Sequence, residues 1–177
     1  FNKFMKKKII LVNISKSCAE IDWILPLLYK LKDEFYIFTL FQSNEAYETL
    51  VKDKILFDIW KGINFDHAID TKFDKYQRYI KKKLNVRFNF KKYLKKKKIF
   101  FDDIALVFSE FGTYSWLVDE FKFFEVRPKT IHFPTSSYIF GKEKNAKINY
   151  SLKGDYLFLC NKLDINFWEK RIDKRKI

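Results

Sequence analysis

Glycine and proline are scarce in this chain, with four glycines and three prolines among 177 residues. Gly62, Gly112, Gly141 and Gly154 stand far apart, so they cannot form a glycine-rich phosphate loop of the dinucleotide or the Walker type. That sets aside nucleotide oxidoreductases and P-loop NTPases. The absence of a Gly-x-Ser-x-Gly elbow argues against an α/β-hydrolase. There are two cysteines, Cys18 and Cys160, and two histidines, His67 and His132. No disulfide framework follows from so few, and no His, Cys, Asp or Glu residues have metal-ligand spacing. No metal and no cofactor are expected. No apolar run approaches the roughly 20 residues of a membrane-spanning helix. Lysines precede Ile9–Val12 as in a signal peptide, but Asn13 interrupts that run and no small-residue cleavage site follows. The expectation is a cytoplasmic protein. The aromatic signature of RNA-binding sheets is missing, so nucleic acid is not the expected partner. There are no internal repeats.

What is abundant is apolar and aromatic: 47% and 20% of residues, which excludes a disordered chain and supplies one domain with a core. Ile9–Val12 is an unbroken apolar run followed by Asn13, Ser15, Lys16 and Ser17 and then an amphipathic segment. An apolar run without alternation belongs to a parallel strand covered on both faces. Ser17 and Glu20 have capping-box spacing, and Ile21, Ile24, Leu25, Leu28 and Leu31 share one helical face. Pro26 interrupts that face's helix, which either starts near Leu25 or bends. Phe35–Phe41, Ile104–Phe108, Thr130–Phe133 and Asp155–Cys160 are further strands. A short helix over Glu45–Lys52 takes Ser43 or Asn44 as its cap. Residues Trp116 to Phe124 and Asp164 to Arg171 carry helical patterns. The stretch from Ile55 to Asp70 is ambiguous: Leu56–Trp60 admits a strand, with a turn at Gly62 or Asn64, and His67 there is read as structural. The fold class is α/β, a Rossmann-like three-layer sandwich with a mainly parallel central sheet, in one domain.

The charge is concentrated. Between Lys72 and Lys98 stand thirteen lysines and arginines against one acid, Asp74, so this stretch carries +12 of the net +14. Its basic residues, among them Arg78, Lys82, Lys83, Arg87, Lys91, Lys92, Lys95, Lys96, Lys97 and Lys98, alternate with Phe88, Phe90, Tyr93 and Leu94. The bland account is a solvated helical hairpin with its aromatic face on the core. The functional account is a surface for an anionic membrane or polyanion.

In a parallel sheet, ligands bind outside the carboxyl ends of the strands. Ser15 and Lys16 follow the first strand, Glu110 and Ser115 a central one, and His132 and Ser136 another. Glu110 and His132 are the groups able to move a proton, the carboxylate orienting the imidazole as a general base. Ser15, Lys16, Ser115 and Ser136 are the candidate substrate contacts. The competing account has Glu110 capping a helix and His132 completing a turn before Pro134.

The order of elements, with IALVFSEFGTYS, then KTIHFPTS, then GDYLFLCNKLDINFWEKR, resembles the N-terminal half of GT-B glycosyltransferases of the polysaccharide and capsule type, including glycerophosphotransferase-like members. Phe133 stands where a glycine usually follows the histidine. The resemblance implies an acceptor-binding domain acting on a glycan or lipid-linked acceptor. It also implies a C-terminal nucleotide-sugar-binding domain beyond this chain, without which the half is inactive, and a basic patch peripheral on the inner membrane face. The rivals are a small basic binding module for anionic membrane or nucleic acid, and a fragment of a sugar-nucleotide 2-epimerase. The epimerase expects a charged motif after the first strand, where Asn13-Ile14-Ser15-Lys16 stands.

Overall fold

The computed structural model describes residues 7–15, 17–69, 83, 94–96, 98–110, 127–133, 154–159, 162–169 and 172–177. Six strands form one sheet: β1 (Lys8–Ile14), β2 (Phe35–Phe41), β3 (Asn64–Ile69), β4 (Ile104–Glu110), β5 (Lys129–Phe133) and β6 (Tyr156–Leu157). Every neighbouring pair is parallel, in the order β3-β2-β1-β4-β5-β6. The chain winds outward from β1 to β3, crosses back to β4 beside β1, and winds outward again. This is the α/β, Rossmann-like arrangement, and its strand order reverses between β1 and β4.

Both faces of the sheet are apolar, which is why the strands read as continuous runs. On one face Ile10, Val12, Ile14, Ile37, Phe41, Phe108 and Phe133 pack against helices α1 (Ala19–Leu31) and α3 (Lys54–Ile63). On the other, Leu11, Phe38, Leu40, Ala68, Ile104 and Val107 pack against Leu94 and Ile99. A register shift between Ile9 and Ile10 skips Ala105 of β4, so alternation still delivers Leu106 and Phe108 to the α1 side.

The helix α1 runs unbroken through Pro26, so the late start admitted by the sequence is not used. Pro26 sits on the exposed side while Ile21, Ile24, Leu25 and Leu28 point inward. Helix α2 (Asn44–Lys52) is capped by Ser43, whose hydroxyl accepts from the Ala46 N–H at 3.1 Å. The possible strand at Leu56–Trp60 is corrected: these residues lie in α3. Asp53 decides it, ending α2 through its N–H to Leu50 O and starting α3 by accepting from the Leu56 N–H at 3.1 Å. Leu56, Trp60 and Ile63 then recur at helical spacing and are buried. Asn64 opens β3 rather than turning the chain, held by Thr39 Oγ1 at 2.7 Å, which also accepts from Trp60 Nε1.

Three further boundaries differ. The strand β4 extends two residues past Phe108, taking in Ser109 and Glu110, which the sequence assigns to a loop. The strand expected over Asp155–Cys160 shrinks to the two residues of β6, at the sheet's edge. Helix α4 (Lys162–Trp168) starts before Asp164 and fully buries Trp168. The lysine-rich run ends in a helix stop. Lys98 has φ 59°, its N–H bonds to Lys95 O, and the Ile99 N–H reaches back to Leu94 O, both at 3.0 Å. That is a Schellman motif, closed by the buried pair Leu94 and Ile99. The helix expected from Trp116 to Phe124 lies outside the described residues.

Candidate functional site

The carboxyl ends of β2, β1, β4 and β5 lie side by side, and each supplies a buried polar residue to the same sheet face. Gln42 Nε2 donates to Asn13 Oδ1 at 2.6 Å, and Asn13 Nδ2 donates to Ser109 Oγ at 3.2 Å. Ser109 pairs with His132 in the register, and His132 Nδ1 donates to the Ser109 carbonyl at 3.2 Å. Four adjacent strands therefore carry the row Gln42–Asn13–Ser109–His132, each residue at most 4% exposed. Such burial is tolerable because the amides and the hydroxyl satisfy one another.

His132 is locked from several sides. Gly154 lies against the ring: a Cβ there would stand 2.5 Å from His132 Cδ2 and 2.8 Å from Nε2. Only glycine leaves that room. The Phe158 N–H bonds to His132 O and the Asp155 N–H to Thr130 O, fastening this segment along β5. Asp155 Oδ2 accepts from the Thr130 N–H, and the Arg127 guanidinium clasps the carboxylate at 2.8 and 3.2 Å. Burial pulls the pKa of His132 below the usual histidine value, outweighing the Ser109 carbonyl and the fields of Glu110 and Asp155, which raise it. A neutral imidazole whose Nδ1–H is given to a carbonyl keeps its lone pair on Nε2.

Glu110 is 3% exposed and also lies at this edge, but it follows Ser109 in the strand and so points to the opposite face, that of Phe108. The register sets it across from Phe133, not His132. The expected carboxylate–imidazole couple is therefore corrected to an interaction through the electrostatic field alone. Ser15 follows β1, half-buried, and its N–H and hydroxyl both bond to Glu20. Lys16, Ser115 and Ser136 lie outside the described residues, as do Arg78, Lys82, Arg87, Lys91, Lys92 and Lys97. Lys83, Lys95, Lys96 and Lys98 are exposed.

The row was only partly visible in the sequence, which pointed to Asn13 and His132 but passed over Gln42, Ser109 and Gly154. A signal existed for two of these, since Gln42 and Ser109 are each the first polar residue closing an apolar strand, as Asn13 is. His67 belongs elsewhere: its ring stacks on Tyr47 at 5.1 Å and meets Trp60 edge-on at 5.4 Å. Thr130 Oγ1 is buried without a partner. Among the described residues there is no group of His, Cys, Asp or Glu able to hold a metal, and no helix long and apolar enough to cross a membrane. No family model, no curated protein and no solved structure matches this chain.

Proposed function

We propose that this chain is the acceptor-binding half of a GT-B glycosyltransferase, serving transfer of a sugar or a polyol-phosphate group to a polysaccharide or lipid-linked acceptor. The observation that carries the reading is the buried polar row Gln42–Asn13–Ser109–His132 at the carboxyl edge of a parallel sheet whose order reverses between β1 and β4. Ligands of such sheets bind at that reversal. Amides and hydroxyls suit the hydroxyls of a glycan. A histidine kept neutral by burial is in the protonation state that accepts a proton from an acceptor hydroxyl, and the field of Glu110 favours the cation that results. In this reading the activated donor is held by a second domain, and Lys83, Lys95, Lys96 and Lys98 face the membrane that carries the acceptor.

The experiment is transfer by the full gene product, assayed with a panel of nucleotide-activated sugars and polyols against lipid-linked and glycan acceptors. His132→Gln keeps a polar side chain in the same space. It should lower kcat by about 10²–10⁴-fold, with circular dichroism unchanged. If His132 serves only to fasten β5 to residues 154–158, the variant loses stability while the folded fraction keeps its kcat, and the proton-accepting role falls. Failure of the full product to consume any activated donor overturns the transferase reading as a whole.

A further inference from the structure

The loop between β1 and α1 sits at the reversal point of the sheet, ahead of a helix N-terminus. In nucleotide-binding sheets of this topology, that loop turns its N–H groups toward a phosphate. Here two of those donors, the N–H groups of Ser15 and Ser17, are already engaged. Ser15 N–H bonds to Glu20 Oε2 at 2.9 Å, Ser15 Oγ to Oε1 at 3.1 Å, and Ser17 N–H to Oε1 at 3.3 Å. Glu20 is itself 2% exposed. A capping box would use one of these bonds, that to Ser17, but the reciprocal serine cap expected from the sequence is not made: Cys18 is the N-cap, with no side-chain cap bond. The bonds to Ser15 reach beyond the helix cap. A carboxylate buried this deeply is sustained by such donors and by the positive end of α1.

We infer that Glu20 is a built-in anion that fills the phosphate position of the β1–α1 loop, barring phosphates from this end of the sheet and reserving it for neutral, hydroxyl-bearing ligands. Two physical effects act together. The Ser15 and Ser17 donors that a phosphate would use are spent on Glu20, and a second anion brought beside it is repelled at short range. Glu110, 3% exposed, ends β4 on the face that α1 covers, opposite the row, and is a second carboxylate at this edge. The row Gln42–Asn13–Ser109 offers neutral amide and hydroxyl groups instead. The exclusion follows from the loop alone. Its use, keeping an activated donor out of the acceptor half, rests on the function proposed above.

The test reads anion binding and not transfer, so loss of the transferase reading leaves its outcome standing. The present chain, labelled with ¹⁵N, is titrated with inorganic phosphate, pyrophosphate and uridine diphosphate, following the Ser15 and Ser17 amides. In the parent, no saturable shift should appear up to about 10 mM. Glu20→Ala frees the donors and should bind pyrophosphate at least about tenfold more tightly than the parent. Glu20→Gln removes the charge but still fills the space, and should show a smaller gain; it serves where the alanine variant does not fold. Saturable pyrophosphate binding at those amides in the parent overturns the inference. So does a folded Glu20 variant with no gain.

Discussion

At the residue scale, His132 is held in place by neighbours that each act on a different property of the ring. The Ser109 carbonyl sets its tautomer, Gly154 gives it room, and burial keeps it neutral. The consequence is a pH dependence of known sign. Above the usual histidine value of 6.5, the ring is neutral in both folded and unfolded chains and contributes no slope. Below it, the unfolded chain takes up a proton that the folded chain resists, so stability falls with pH until the folded-state pKa is passed. Urea denaturation at a series of pH values should show this loss beginning near pH 6.5 in the parent and missing in His132→Gln. A variant with the same slope would place the titration elsewhere. Gly154 was not legible as part of the site. A glycine announces itself in a sequence only through motifs, and here what requires it is the side chain of a residue 22 positions earlier.

At the scale of elements, what was legible depended on whether local pattern had one solution. Phe35–Phe41 has one, and the strand coincides with the run. Leu56–Trp60 has two, since a short, mostly apolar run admits a strand while Leu56, Trp60 and Ile63 recur as in a helix. The side chain of Asp53, outside the ambiguous stretch, resolves it. The lysine run holds a comparable surprise. Lys98 adopts the left-handed conformation at a helix stop where glycine is the usual occupant, at a cost of about 1 kcal/mol for a residue with a Cβ. Lys98→Gly should therefore stabilise the chain by about 1 kcal/mol, although it removes a charge from a cluster thought of as surface. Denaturant midpoints at unchanged m would measure it. A lower midpoint would mean that the Lys98 side chain has a favourable role the backbone strain conceals.

For the whole molecule, the sheet was the most legible feature, because strands buried on both faces leave unbroken apolar runs that few other structures require. The site was less so, because opposite faces of a strand are decided by register, and register is a relation between distant segments. This is how Glu110 and His132, both at the right edge, came to lie on different sides. The charge asymmetry is a molecular property of the same kind. Under the proposed function, Lys83, Lys95 and Lys96 work together as part of a membrane-facing surface. Changing all three to glutamine should weaken binding to phosphatidylserine-containing vesicles by on the order of a hundredfold at low salt, given about 1 kcal/mol per basic residue near such a surface. The melting temperature should stay nearly constant. Undetectable binding by the parent would end the membrane assignment.

The chain of amides at the carboxyl edge also answers a problem of alignment. Two strands that are apolar on both sides can slide past each other by one residue and exchange one greasy contact for another, so nothing in their burial says which alignment is correct. Asn13 is not indifferent in this way. Unless it meets Gln42 on one flank and Ser109 on the other, it buries a carboxamide unpaired, at about 1–3 kcal/mol. The three residues thus act as a notch and two teeth, cut into segments 29 and 96 positions from Asn13, that engage only when all three strands arrive in step.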